Sequence, residues 1–318
     1  MMLPAPRVSW LAIPRALCAL ALVQAAAAEE VPAHLKDVIY GRKHGMALTM
    51  DVFKPEHPNG ASIIWVVSGG WVSSHDTIEA AGPLSPTKEF TDRGYTVFAV
   101  VHGSQPKYTI PEILLDMHRA TRYIRAHSNE YGVDSNRIGI TGASAGGHLS
   151  LMQGMAGDNG DPAAKDEVDR QSSRVQAVAC FFPPTDFLNY GQPDQVALGD
   201  GTLAAFPAPF AFEKLDQSVS RFGRYVAIED EGERRAIGQA ISPINHVSHD
   251  DPPTLIIHGD ADKLVPIQQA ELIIDKLTQS NVEAKLVVKP GAQHGWPGMA
   301  DDMSTIADWF DAHLSRSP

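Results

Sequence analysis

The stretch Arg137-Ile138-Gly139-Ile140-Thr141-Gly142-Ala143-Ser144-Ala145-Gly146-Gly147 decides how the chain folds. Its first half reads as a short strand and its second half as Gly142-x-Ser144-x-Gly146, with a helix from about Ala145 to Met155 behind it. A serine between a strand and a helix sits on a sharp turn that crowds the backbone, so its neighbours must be small. Two glycines and two alanines supply that here. Such a turn pushes the Ser144 hydroxyl out at the carboxyl edge of a sheet, beside a helix N-terminus that favours developing negative charge. The pattern alone is common; its place between strand and helix gives it weight.

Working outward, Ser62–Val67 and Tyr95–Val101 are continuous apolar runs, the signature of strands buried on both faces. A short helix over Pro86–Arg93, closed by Gly94, lies between them. Asp37–Tyr40 and Met46–Phe53 flank Gly41–Gly45 and predict an antiparallel hairpin. Ile113, Leu114, Met117, Ala120, Thr121 and Ile124 share one face of a helix over Ile110–Tyr131, with Pro111 in its first turn and Gly132 at its end. Gly157–Arg174 is a polar surface loop, and its Asp158-Asn159-Gly160-Asp161 lacks the further ligands of a calcium loop. Val175–Phe182 is the next strand. Residues 185–250 then lose periodicity and read as an inserted, partly helical cap without a core of its own. Order returns with a strand at Thr254–His258, a helix at Ile267–Gln279, a strand at Ala284–Lys289 and a helix at Met303–His313. The alternation predicts an α/β fold, a mostly parallel sheet with helices on both faces, in one domain over residues 29–318.

The 318 residues are 43% hydrophobic and 20% charged, which excludes a disordered chain. A formal charge of −12 with no basic stripe argues against nucleic acid as a partner. Residues 1–28 read as an export signal: Arg7 and Arg15, the apolar Ala16–Val23, and small Ala26-Ala27-Ala28 before Glu29. Its apolar core is too short for a lasting membrane anchor, so the expected destination is the periplasm or the exterior. Cys18 falls inside that signal and leaves Cys180 alone, a thiol expected inside a strand and not in an intrachain disulfide.

A serine hydroxyl is a weak nucleophile and needs a base, and the base needs an orienting acid. In this architecture the chain order is serine, acid, histidine, each on a loop after a strand. His258-Gly259-Asp260-Ala261-Asp262 follows one strand, and Gly291-Ala292-Gln293-His294 follows the next. Asp262 is the preferred acid because it lies two residues further out than Asp260, which is expected to shape the turn; Asp186 is a third candidate. The oxyanion donors are expected from Ala145, Gly69 and Gly70, with Trp71 nearby as an alternative. His148 is expected to pack locally and His258 to lie beneath the acid loop, while His102 and His75 sit on strand-edge loops within possible reach of the site. No HExxH or clustered Cys/His spacing is present, so no catalytic metal and no cofactor are expected.

These residues resemble a known family. Asp116-Met117-His118-Arg119-Ala120, Tyr123-Ile124-Arg125, Tyr131-Gly132-Val133-Asp134, Arg137-Ile138 and Gly142–His148 are similar to the α/β-hydrolases, specifically the esterases near hormone-sensitive lipase and the feruloyl-esterase-like (BD-FAE-like) branch. His258-Gly259-x-x-Asp262-x-x-Val265-Pro266 is shared with many esterases and with prolyl-oligopeptidase-type peptidases. The resemblance runs from about Asp37 to His313 and implies Ser144, Asp262 and His294 as a catalytic triad. It also implies His-Gly-Gly-Gly-Trp on the oxyanion loop, where this chain has Val67-Ser68-Gly69-Gly70-Trp71. The expected activity is hydrolysis of short-chain acyl or aryl esters, free or attached to polysaccharide. Phe187, Tyr190, Phe206, Phe210 and Phe212 of the cap either shape the acyl or aryl pocket or simply pack. A prolyl peptidase and a non-catalytic binding protein on the same fold are the alternative readings.

Overall fold

A computed structural model describes residues 33–81, 85–218 and 222–315; the export-signal reading of residues 1–28 lies outside them. β1 (His34–Lys43) and β2 (Met46–Phe53) form the expected hairpin. β1 runs through Gly41 to Lys43, because the turn is made by His44 and Gly45, both at positive φ. β3 (Ser62–Val67) is followed by α1 (His75–Ala80), a short helix with no apolar stripe to announce it, then α2 (Thr87–Asp92) and β4 (Thr96–Val101).

α3 (Ile110–Ala126) begins at a capping box, in which the Thr109 N–H donates to Glu112. The helix stops short of Tyr131: the backbone breaks at His127, and α4 (Ser128–Tyr131) adds one turn, closed by Gly132 in the left-handed region. β5 (Ile138–Ala143), α5 (Ala145–Met155) and β6 (Ala177–Phe181) follow. The cap holds a hairpin of β7 (Glu213–Asp216) and β8 (Arg224–Ala227) that the sequence did not announce, then α6 (Glu231–Ala240). β9 (Thr254–Gly259), α7 (Gln268–Gln279), β10 (Ala284–Lys289) and α8 (Met303–Leu314) complete the chain.

Eight strands form one sheet in the order β1-β2-β4-β3-β5-β6-β9-β10. β1 and β2 are antiparallel and the pairs from β4 and β3 through β10 are parallel. Side chains along β3 alternate between two cores, which explains its unbroken apolar run. Ile64 and Val66 pack with Met117 and Ile124 of α3 and Leu149 of α5, while Ile63, Trp65 and Val67 pack with Ile306 and Phe310 of α8. The cap has no separate core: Phe187, Leu198, Phe210 and Phe212 join the cluster beneath α3 and α5. Cys180 is buried on β6, where loss of hydration pushes its thiol pKa up and keeps it protonated. No helix among the described residues is long and apolar enough to cross a membrane.

Candidate active site

The site sits where β5, β9 and β10 end. Ser144 takes φ 54 and ψ −118 between β5 and α5, a conformation that costs an L-residue about 1–3 kcal/mol and is held by its surroundings. The Ser144 N–H donates to Phe181 O at the end of β6. The turn is so tight that a Cβ on Gly142 would stand 2.5 Å from the carbonyl carbon of Gly146. Strand and helix approach that closely only without the side chain.

Asp262 and His294 reach Ser144 from the two loops beyond β9 and β10. Their approach needs Gly259, where a Cβ would meet the Ala292 carbonyl oxygen at 2.3 Å. His294 Nδ1 lies 2.6 Å from Asp262 Oδ2 and His294 Nε2 lies 2.9 Å from Ser144 Oγ. A carboxylate only accepts, so Nδ1 carries the imidazole proton. Nε2 therefore presents its lone pair to the Ser144 hydroxyl. Phe182 packs on the His294 ring at a centroid distance of 4.4 Å.

Asp262 is buried. Burial opposes its ionisation, but His258, His294 and the Val265 N–H all bond to the carboxylate and hold its pKa well below the usual range. Asp262 Oδ1 also accepts from the Leu264 N–H. His258 donates Nε2–H to Val265 O at 2.8 Å, beneath the acid loop. Asp260 and Asp186 have other tasks. Asp260 accepts from the Gly291 N–H across the two loops, and Asp186 accepts from the N–H groups of Leu188 and Asn189 in a local turn.

On the oxyanion loop the geometry departs from expectation at Gly69. Its N–H donates to Val72 O at 3.0 Å and so is not free to bind an oxyanion. The Gly69 carbonyl accepts from Val72, so across the planar peptide the Gly70 N–H points the other way. Gly70 and Ala145, the first residue of α5, keep N–H groups without a backbone acceptor among the described residues. Trp71 O and Gly70 O both accept from Gln105, which fixes the loop from behind.

Two histidines brace this loop, a role that nothing in the local sequence marks. His102 donates Nδ1–H to Gly103 O, so its Nε2 accepts from the Ser68 hydroxyl at 2.8 Å. Burial pulls the His102 pKa down to about 4 and keeps the ring neutral. His148 bonds far along the chain and not locally: Trp71 Nε1–H donates to its Nδ1 at 3.2 Å, and its Nε2–H donates to Ile241 O at 2.7 Å. Burial likewise pulls His148 to about 4. Trp71 also packs edge-on against Phe210 of the cap. His75 belongs elsewhere; its partners are Asp37, Asp51 and Thr49.

A cavity of about 240 Å³ lies against the elbow, lined by Ser68, Ala143, Phe181, Met299 and Met303 among others. Neither it nor a wider one of about 710 Å³, bordered by Arg42, Arg119, Asp166 and Asp169, has Ser144, Asp262 or His294 in its lining.

The sequence model of the BD-FAE family matches residues 50–277, most of the chain and the span that holds both Ser144 and Asp262. The chain belongs to the BD-FAE family. This BD-FAE chain is 29% identical over 269 residues to the probable carboxylic ester hydrolase LipM of Mycobacterium tuberculosis, covering 83% of itself and 56% of that protein. It is 27% identical over 270 residues to the esterase LipC of the same organism, covering 83% of itself and 60% of that protein. The chain thus spans little more than half the length of these curated relatives. Among solved structures it is similar to a truncated carbohydrate esterase from gut microbiota, with a TM-score of 0.70 at 25% identity, covering 90% of this chain and 97% of that one. An esterase of Thermogutta terrifontis shares the fold, with a TM-score of 0.67 at 23% identity over 91% of this chain and 98% of that one.

Proposed function

We propose that this BD-FAE chain is an exported serine carboxylic ester hydrolase. The continuous line of hydrogen bonds from Asp262 through His294 to Ser144 carries the reading. His294 Nε2 takes the hydroxyl proton as Ser144 Oγ attacks the ester carbonyl carbon. The carbonyl oxygen becomes an oxyanion and accepts from the N–H groups of Gly70 and Ala145. Asp262 holds the imidazolium by its Nδ1–H. The intermediate collapses, the C–O bond to the alcohol breaks, and His294 returns the proton to the leaving oxygen. Water then gives a proton to His294 and adds to the acyl carbon. The second collapse frees the acid and restores Ser144.

The substrates we infer carry short acyl or aryl groups, including acyl groups borne on saccharides. The likeness to a carbohydrate esterase supports a sugar alcohol. Export rests on residues 1–28 alone. The test is hydrolysis of p-nitrophenyl esters of rising acyl length and of acetylated and feruloylated oligosaccharides, beside Ser144→Ala. Wild-type turnover of the short esters with a silent variant supports the reading. Equal turnover by both proteins overturns it.

A further inference from the structure

Away from the triad, four side chains able to bind metals meet where β1, β2 and the start of α1 pack together. Asp51 on β2 is their hub, with only 5% of its side chain exposed. His34 Nε2 lies 2.8 Å from Asp51 Oδ2, and His75 Nδ1 lies 3.1 Å from Asp51 Oδ1. The other ring nitrogen, His75 Nε2, lies 3.2 Å from Asp37 Oδ1 and 2.8 Å from Thr49 Oγ1. Asp37, Asp51 and His75 each bring a ligand atom to within 4.8 Å of the others.

The two carboxylates of this cluster face imidazoles. Among the described residues neither aspartate is ion-paired with a lysine or an arginine; the nearby Lys36 pairs with Glu79. A neutral imidazole has one N–H, yet His75 faces a carboxylate oxygen at each nitrogen. The Thr49 hydroxyl, 2.8 Å from Nε2, partners that nitrogen when Nδ1 faces an ion. The backbone favours a built site. A break in register between Leu35 and Val38 puts Asp37 on a bulge at φ 55, and a bulge of this kind turns a side chain away from the regular pleat.

We propose that Asp37, Asp51 and His75 bind a first-row divalent cation of the Zn²⁺ type, with His34 holding the Asp51 carboxylate from outside. Mixed imidazole and carboxylate donors suit such an ion. An ion takes one ring nitrogen of His75: the 3.1 Å from Nδ1 to Asp51 Oδ1 is close to the edge of about 3.3 Å in a tetrahedron with bonds of about 2.0 Å, and Asp37 brings its carboxylate to within 4.8 Å of both partners. His75 is the first residue of α1, which begins shortly after Trp71, so the ion ties the hairpin to the far end of the oxyanion loop. The proposal does not depend on the esterase reading.

The test is Zn²⁺ titration of the chelator-stripped protein by calorimetry, with bound metal counted by mass spectrometry and Co²⁺ absorption read in the visible. One ion per chain is expected, with a higher Tm in its presence. Asp37→Asn and His75→Gln are expected to weaken binding by at least about tenfold, and His34→Gln by about tenfold. Asp37 has 74% of its side chain exposed, so its variant keeps the fold and decides the matter if His75→Gln does not fold. No uptake at about 100 μM Zn²⁺, far above the affinity of a dedicated site, overturns the proposal. So does uptake that Asp37→Asn leaves unchanged, which places the ion elsewhere.

Discussion

Ser144, in a backbone conformation that few serines adopt, shows how single residues divide the work at this site. In the proposed mechanism only its oxygen forms a covalent bond, so Ser144→Ala is expected to lower kcat by about 10⁶ and to abolish labelling by a fluorophosphonate. In the same mechanism Asp262 acts through the imidazole. Asp262→Asn keeps the shape but offers His294 Nδ1 an amide that favours the wrong tautomer, and kcat is expected to fall by about 10⁴ with the fold intact. Ser68 and His102 act one step further out. Their hydrogen bond stands on the loop that reads Val67-Ser68-Gly69-Gly70-Trp71. Removing an oxyanion donor outright costs about 10²–10³ in rate, so loosening the loop that carries one is expected to cost less. Ser68→Ala and His102→Gln are each expected to reduce kcat about tenfold with little change in KM. The double variant should be no slower than either single one, because the two residues act as a unit. Additive losses in steady-state kinetics would separate their roles.

At the level of elements, the oxyanion loop is clamped between α5 and the cap. The Trp71 indole donates to His148 on α5 and packs on Phe210, while His148 donates onward to Ile241 just beyond α6. Trp71→Phe keeps most of the packing but leaves His148 Nδ1 buried without a partner. It is expected to lower stability by about 1–3 kcal/mol in chemical denaturation and to lower kcat more than it raises KM. The unequal legibility of the sequence has the same origin. β3, β5, β9 and the elbow were readable because burial on both faces and a crowded turn each leave a strong local pattern. Preferring Asp262 to Asp260 needed only the distance from the end of β9. The link from His148 to Trp71 and Ile241 joins residues far apart in the chain, and nothing local marks it. β7 and β8 escaped notice because Glu213, Lys214 and Leu215 are all exposed and show no alternation. The residue type of Gly69 suggests a donor, whereas the direction of its N–H is set by the turn to Val72. Asp37, Asp51 and His75 are gathered by a bulge and a helix start, so their spacing follows no motif.

For the whole molecule, two forces act in opposite directions as pH falls. A formal charge of −12 makes the folded chain repel itself, and acidification relieves that repulsion. His102 and His148 oppose this. Burial pulls both from 6.5 to about 4 in the folded protein; their bonds to Gly103 O and Ile241 O offset that only in part. Unfolded, they bind protons near 6.5, so between the two values unfolding takes up protons. Their contribution is fully present above the unfolded value and declines as pH falls toward about 4. Each proton taken up corresponds to about 1.4 kcal/mol per pH unit, so the pair outweighs a diffuse surface repulsion that salt screens. Asp116, whose pKa burial raises despite Lys43, works against the trend. The histidine effect begins as pH falls below about 6.5 and runs toward about 4. Tm is expected to fall across that window by several degrees, little altered by added salt, when followed by scanning fluorimetry. His148→Gln lowers Tm at every pH through lost packing, but it removes one titrating group and should flatten the slope. A slope unchanged in both His148→Gln and His102→Gln would assign the acid sensitivity to other groups.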